Sequence, residues 1–187
     1  MNAAEKSRLA YVGAKPGAKR DSDSWFTPAE YIESARAALG RIDYDPYSSD
    51  EANAVVQARK YSTVDSPNPT IGAAWPKVTS VWMNPPYSGG AAREAANRFL
   101  SAFEAGRFVR GIVLVNNATE TRMFRDLAAK ASAICFTDHR IAFYNVDGKK
   151  VSGNTRGQAF LYFDHSDDPS AFAREFRKHG YTVRSLT

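Results

Sequence analysis

A single cysteine is all that this 187-residue chain carries. Cys135 therefore has no mate for an internal disulfide, and no cluster of thiolates is available to hold a metal. It sits in the apolar run Ala133-Ile134-Cys135-Phe136, where a buried, inert thiol is the expected state. Histidine is almost as scarce: His139, His165 and His179 are scattered without metal-ligand spacing, so no metal is expected. No apolar run approaches the length of a membrane span, and the N-terminus lacks the hydrophobic core of a signal peptide. These absences exclude disulfide-scaffold, zinc-site and membrane classes and leave the expectation of a soluble, cytoplasmic protein.

What is present suffices for one core. With 43% hydrophobic residues, a single domain over 24–187 is expected behind a flexible basic arm at 1–23. The arm includes Lys15-Pro16-Gly17-Ala18-Lys19-Arg20. A formal charge of +5 suits a polyanionic partner, although basic balance alone is weak ground for one.

Periodicity and punctuation divide the rest into alternating elements. Trp25-Phe26-Thr27-Pro28 precedes a helix ending near residue 39, with Thr27 as N-cap, Pro28 at the first helical position and Gly40 as the stop. Arg41-Ile42-Asp43-Tyr44-Asp45-Pro46 reads as a short strand ending in carboxylates, and Ser48-Ser49-Asp50-Glu51 caps a helix reaching about residue 61. Residues 62–77 form a loop containing Trp75. Helices are expected at 91–105 and 119–130, and strands at 111–115 and 133–137. The run Gly111-Ile112-Val113-Leu114-Val115 is that of a strand buried on both faces. Strands at 141–145 and 158–164 flank a long basic loop at 146–157 and read as an antiparallel hairpin, followed by a helix near 169–179 and a strand at 181–184. The alternation argues an α/β fold with a mainly parallel sheet and that hairpin at its C-terminal side.

Chemistry concentrates in Val78-Thr79-Ser80-Val81-Trp82-Met83-Asn84-Pro85-Pro86-Tyr87. A β-favouring run is stopped by Asn-Pro-Pro, because prolines fix their own φ and push the preceding residue away from helical geometry. The stiff elbow lies at a strand's carboxyl end, where open α/β sheets put ligands. It presents an amide, a proline-aimed backbone carbonyl and an aromatic face. That set suits an exocyclic amine on a planar base, whose lone pair is delocalised into the ring. Accepting its two N–H bonds at the Asn84 amide oxygen and the Pro85 carbonyl lets the lone pair localise towards an electrophile, while Tyr87 stacks on the base. A simple turn explains the same tetrapeptide with no chemistry.

These residues resemble the amino-group DNA methyltransferases that carry Asn/Asp-Pro-Pro-Tyr/Phe, and most closely the small phage-type (Dam-like) adenine-N(6) methyltransferases. The resemblance runs from about residue 25 to 163. It is carried by Trp25-Phe26-Thr27-Pro28, Ile42-Asp43-Tyr44-Asp45-Pro46, Trp75, Asn84-Pro85-Pro86-Tyr87 and Arg140-Ile141-Ala142-Phe143. It implies a Rossmann-like fold, S-adenosyl-L-methionine as methyl donor, and double-stranded DNA as partner with the target adenine flipped out. It further implies Asn84, Pro85, Pro86 and Tyr87 as catalytic residues, and Asp45 and Pro46, with Asp43, Thr27, Pro28 and Trp25, as cofactor-binding residues. The usual glycine-rich loop is missing, and no G-x-G occurs anywhere in the chain.

Several alternatives stay open on the residues alone. Thr27 and Pro28 are fully explained by a capped helix, and Asp43 and Asp45 by capping or solubility. The elbow serves equally a cytosine 4-amino group, an RNA base or a protein glutamine amide, and a DNA-binding relative without activity keeps the same fold. No stretch is long enough for a separate recognition domain. DNA contact is therefore expected from residues 62–77 and from the basic loop carrying Lys149, Lys150 and Arg156, with Arg140 just before it. A solvated edge is an equal reading of that loop.

Overall fold

The computed structural model describes residues 25–63, 75–87, 90–145, 147–151 and 155–184. The basic arm at 1–23 and most of the 62–77 loop lie outside the described residues. Within them the chain runs α1 (Ala29–Leu39), β1 (Tyr44–Asp45), α2 (Asp50–Val56), β2 (Lys60–Tyr61), β3 (Ser80–Met83), α3 (Ala91–Glu104), β4 (Arg110–Asn116), α4 (Arg122–Ala128), β5 (Ala133–Thr137), β6 (Gln158–Asp164), α5 (Ser170–Phe176) and β7 (Gly180–Arg184).

The seven strands form one mixed sheet in the order β2-β1-β3-β4-β6-β5-β7. Strands β1 to β4 pair in parallel, and β6 lies antiparallel between β4 and β5. It follows that β1 to β5 all point one way, while β6 and β7 oppose them.

Alternation of side chains along the strands makes two cores, one on each face. Ile112 and Leu114 of β4, with Phe160 and Tyr162 of β6, pack under α1, α2 and α5. Val113, Val115, Ala159, Leu161 and Phe163 pack under α3 and α4. Each such large side chain contributes roughly 1.5–3 kcal/mol on burial, so the central strands are the rigid floor from which the carboxyl edge is built. Cys135 belongs to the first core, and burial raises its thiol to about 11, which leaves it unreactive.

The helix expected over 119–130 is shorter, Arg122–Ala128 behind its Thr121 cap, and two further elements differ from expectation. The second helix stops at Val56 rather than near residue 61, because Gln57 takes a left-handed conformation and Asn53 clamps the reversal. The Asn53 side chain accepts from Ala58 N at 2.8 Å and donates to Ala58 O at 3.3 Å. The freed segment becomes β2, whose Lys60 N and the following Ser62 N donate to Asp43 O and Asp45 O.

The hairpin between 141–145 and 158–164 does not form. Every residue of β6 is buried, so that strand takes two neighbours in mid-sheet, β4 and β5. Residues 141–145 pack as coil instead, with Ile141, Phe143 and Tyr144 buried and Tyr144 bridging Phe26 and Lys150. The antiparallel share of the sheet therefore comes from β6 and β7. Among the described residues no helix is long and apolar enough to cross a membrane.

Candidate active site

Strand order reverses between β1 and β3. The chain adds β2 on one side of β1, then returns across it to add β3 and β4 on the other. Open α/β sheets bind ligands at such a switch point, outside the carboxyl ends of the strands. Here those ends carry Asp45-Pro46 and Asn84-Pro85-Pro86-Tyr87, and the pairing of Tyr44 with Val81 sets them side by side.

β3 ends because Pro85 and Pro86 have no N–H for the ladder, so its last pair with β4 is Met83 with Val113. β4 continues to Asn116, and Tyr87 Oη donates to Leu114 O at 3.2 Å. Burial holds the Tyr87 phenol far above its ordinary pKa, so it stays a neutral donor. The ring is thereby fixed at the elbow.

Asn84 is held from one side only. Its Nδ2 donates to Trp25 O at 3.3 Å and to Thr27 Oγ1 at 3.2 Å. Its Oδ1 is buried and has no hydrogen-bond partner among the described residues. A buried bare acceptor is costly unless a ligand supplies the donor. The same contacts revise the role of Thr27 expected from helix capping. Pro28 occupies the N-cap position of α1 with no side-chain cap, and the Thr27 hydroxyl accepts from Asn84 instead. Thr27 and Pro28 are buried, while Trp25 is half-exposed.

Asp43 and Asp45 are both buried, with opposite surroundings. Burial pushes the Asp43 carboxyl up, but Arg41 Nε at 2.7 Å, Thr79 N at 3.1 Å and Ser80 N at 3.2 Å hold it below the ordinary carboxylate value. One oxygen is thus spent on Arg41 and the other on tying β1 to the start of β3. Asp45 accepts from Tyr47 N at 3.2 Å and meets no cation among the described residues, and burial lifts it to about 7. Pro46 is buried beside it. Trp75 is a core residue, edge-on to Tyr44 and Phe99, with its carbonyl accepting from Arg107.

The basic residues collect on the same edge. Arg140 follows the carboxyl end of β5, and Arg156 precedes β6, whose start pairs with the end of β4. Lys150 pairs with Tyr144, which exchanges hydrogen bonds of 2.9 and 3.0 Å with Phe26. The turn carrying Lys149 and Lys150 is thus fastened beside the Trp25–Thr27 segment that grips Asn84. All four basic side chains lie in exposed residues.

A model of the DNA N-6-adenine-methyltransferase (Dam) family matches residues 15–179. The chain belongs to that family. No curated protein matches it. As a Dam-family enzyme it acts on the N6 of adenine in DNA.

Three parts of this Dam-family edge were not foreseen from sequence. Gln158, fully buried, accepts from Ile141 N at 3.0 Å and donates to Arg156 O at 2.7 Å, joining the two segments that bear Arg140 and Arg156. His139 links Asp138 at 2.5 Å to the Tyr31 hydroxyl at 2.7 Å, fastening the Arg140 turn to α1. Gly157 packs so tightly that a Cβ would stand 2.6 Å from Asn117 Nδ2. A glutamine opening an apolar strand was the one available signal, since it must find partners where it is buried. The partners themselves are distant in sequence.

Proposed function

We propose that this chain transfers a methyl group from S-adenosylmethionine to the 6-amino group of an adenine turned out of double-stranded DNA, at the carboxyl ends of β1 and β3 in a Rossmann-like sheet. One observation carries the reading: the Asn84 Oδ1, buried and without a hydrogen-bond partner among the described residues, just past the end of a strand. It is an acceptor waiting for an N–H donor, and an aromatic amine offers two.

Asn84 Oδ1 would accept one amine N–H and the Pro85 carbonyl the other. Localising the lone pair out of the ring makes the nitrogen nucleophilic, and the preorganised acceptors cost no reorganisation at the moment of transfer. Tyr87 offers its ring face to the base, with its hydroxyl already tied to Leu114. The amine's proton leaves to water, and no side chain is assigned as its base. Bound S-adenosylmethionine supplies a methyl group made electrophilic by the sulfonium charge. Asp45 fits such a group, being a buried carboxyl without a counter-charge among the described residues. Pro46, Pro28 and Trp25 would complete that wall. Asp43 is withdrawn from the cofactor set, because its oxygens are already engaged. Arg140, Lys149, Lys150 and Arg156 would bind phosphates, which fix position without reading sequence.

The test is mass analysis of nucleosides after incubation of DNA with methyl-labelled S-adenosylmethionine. Label in N6-methyladenine is expected. Label in 4-methylcytosine, or only in RNA or protein, overturns the reading.

A further inference from the structure

We infer that Thr27 is a positioning residue for methyl transfer: its hydroxyl, with the Trp25 carbonyl, locks the Asn84 amide in the one orientation that presents oxygen to the target amine. The inference rests on the methyl-transfer reading above.

A carboxamide has two ends of nearly equal size and opposite polarity. Rotated by half a turn, Asn84 would present an NH2 group to an amine that itself has only N–H bonds to offer. Donor would face donor, and the lone pair would stay in the ring. Something must therefore select between the two orientations, and packing by shape alone cannot. The selection here is electrostatic. Nδ2 has two hydrogens and meets two oxygens, Trp25 O at 3.3 Å and Thr27 Oγ1 at 3.2 Å. The Trp25 carbonyl accepts only, so a rotated amide would set oxygen against oxygen there. The Thr27 hydroxyl can donate or accept, so the Trp25 carbonyl sets the orientation. Thr27 holds the second amide hydrogen in place, while the buried opposite end has no partner among the described residues.

The segment that does this is itself held. Phe26 N donates to Tyr144 O at 2.9 Å, Tyr144 N donates to Phe26 O at 3.0 Å, and Pro28 restricts Thr27 to extended geometry. Thr27 is 5% exposed, so its hydroxyl keeps this geometry with little competition from water. The hydroxyl is thereby assigned to the catalytic amide rather than to the cofactor.

Thr27→Val removes the acceptor and keeps the branched shape, and Thr27→Ser keeps the acceptor. For Thr27→Val we expect kcat to fall roughly tenfold, the size of one lost hydrogen bond acting in the transition state. S-adenosylmethionine affinity by calorimetry should stay within about twofold of the parent, and Thr27→Ser should restore kcat. Should the valine unfold the domain, Thr27→Ala replaces it with the same expectation. Asn84→Ala is measured alongside. If Asn84→Ala is inactive while Thr27→Val turns over like the parent, the positioning role is wrong and the transfer reading stands. If Thr27→Val mainly weakens S-adenosylmethionine binding, the hydroxyl belongs to the cofactor and the inference fails. A fully active Asn84→Ala removes both.

Discussion

Asp43 and Asp45 stand two residues apart at β1, both buried, and their surroundings differ in kind. Asp43 is surrounded by donors from Arg41, Thr79 and Ser80, and its carboxyl is held below the ordinary value. Asp45 has a backbone N–H, a neighbouring hydroxyl and no cation among the described residues, and burial lifts it to about 7. Residue type is the same and both are closed off from solvent, but Asp45 lies deeper, and the partners differ. Asp43 faces the start of β3, where the polypeptide supplies every partner, and its role is to hold strands together. Asp45 lies towards the carboxyl edge, where the neighbouring strand is followed by Asn84, whose own buried acceptor has no partner among the described residues. At the carboxyl edge of the switch point, where open α/β sheets bind ligands, a buried acceptor without a partner among the described residues is a place for a ligand's donor.

The comparison can be broken most forcefully at Asn84. Asn84→Ala should lower methyl transfer by about a hundredfold or more, the loss of roughly 3 kcal/mol of preorganised stabilisation. Cofactor binding should change little, and single-turnover transfer with calorimetry separates the two.

Asp43→Ala should act on stability. It leaves the Thr79 and Ser80 N–H groups without their acceptor, at about 2–3 kcal/mol in urea unfolding. Because its folded pKa is lowered, the Asp43 contribution is present above the ordinary carboxylate value and is lost as pH falls through the folded one. The gap between parent and variant should therefore close in acid.

Asp45→Asn should do the reverse. A folded pKa near 7, against 3.8 in the unfolded chain, means that stability is full below about 4 and declines as pH rises through 7. The asparagine variant should thus match the parent in acid and exceed it at pH 8 by on the order of 4 kcal/mol. His179 gives a slope of opposite sign between about 4 and 6.5, because burial lowers its pKa to about 4. It is common to both proteins and cancels in the difference. Thermal unfolding across pH reads this directly.

Tyr87→Phe should cost about 1 kcal/mol by freeing the Leu114 carbonyl, with transfer retained through the ring face. Equal stability of parent and variant would remove the anchor from the picture.

Much of this was legible in the chain. The Asn-Pro-Pro stop fixed where β3 ends, and the apolar run 111–115 fixed a central strand, because both signals are local. Asp45 was legible as a strand-end acid. What separated it from Asp43 was not, since that depends on Thr79 and Ser80, which lie more than thirty residues away. Thr27 was misplaced as an N-cap for the same reason: its partner is Asn84, far along the chain. The hairpin at 141–145 failed because strand patterning says which residues are apolar and not which strand lies beside them. β6 filled the mid-sheet position, and 141–145 was left to pack as coil.

Calorimetric titration of S-adenosylmethionine into the parent and into Asp45→Asn, at pH 6 and pH 8, bears most directly on Asp45, the buried carboxyl with no cation beside it among the described residues, as the mark of the site. Binding that uses the charged form should tighten from pH 6 to pH 8 in the parent and release a proton near neutrality. In Asp45→Asn it should be weaker and lose that pH dependence. Equal affinity of the two proteins at both pH values would contradict the assignment and move the cofactor away from the end of β1.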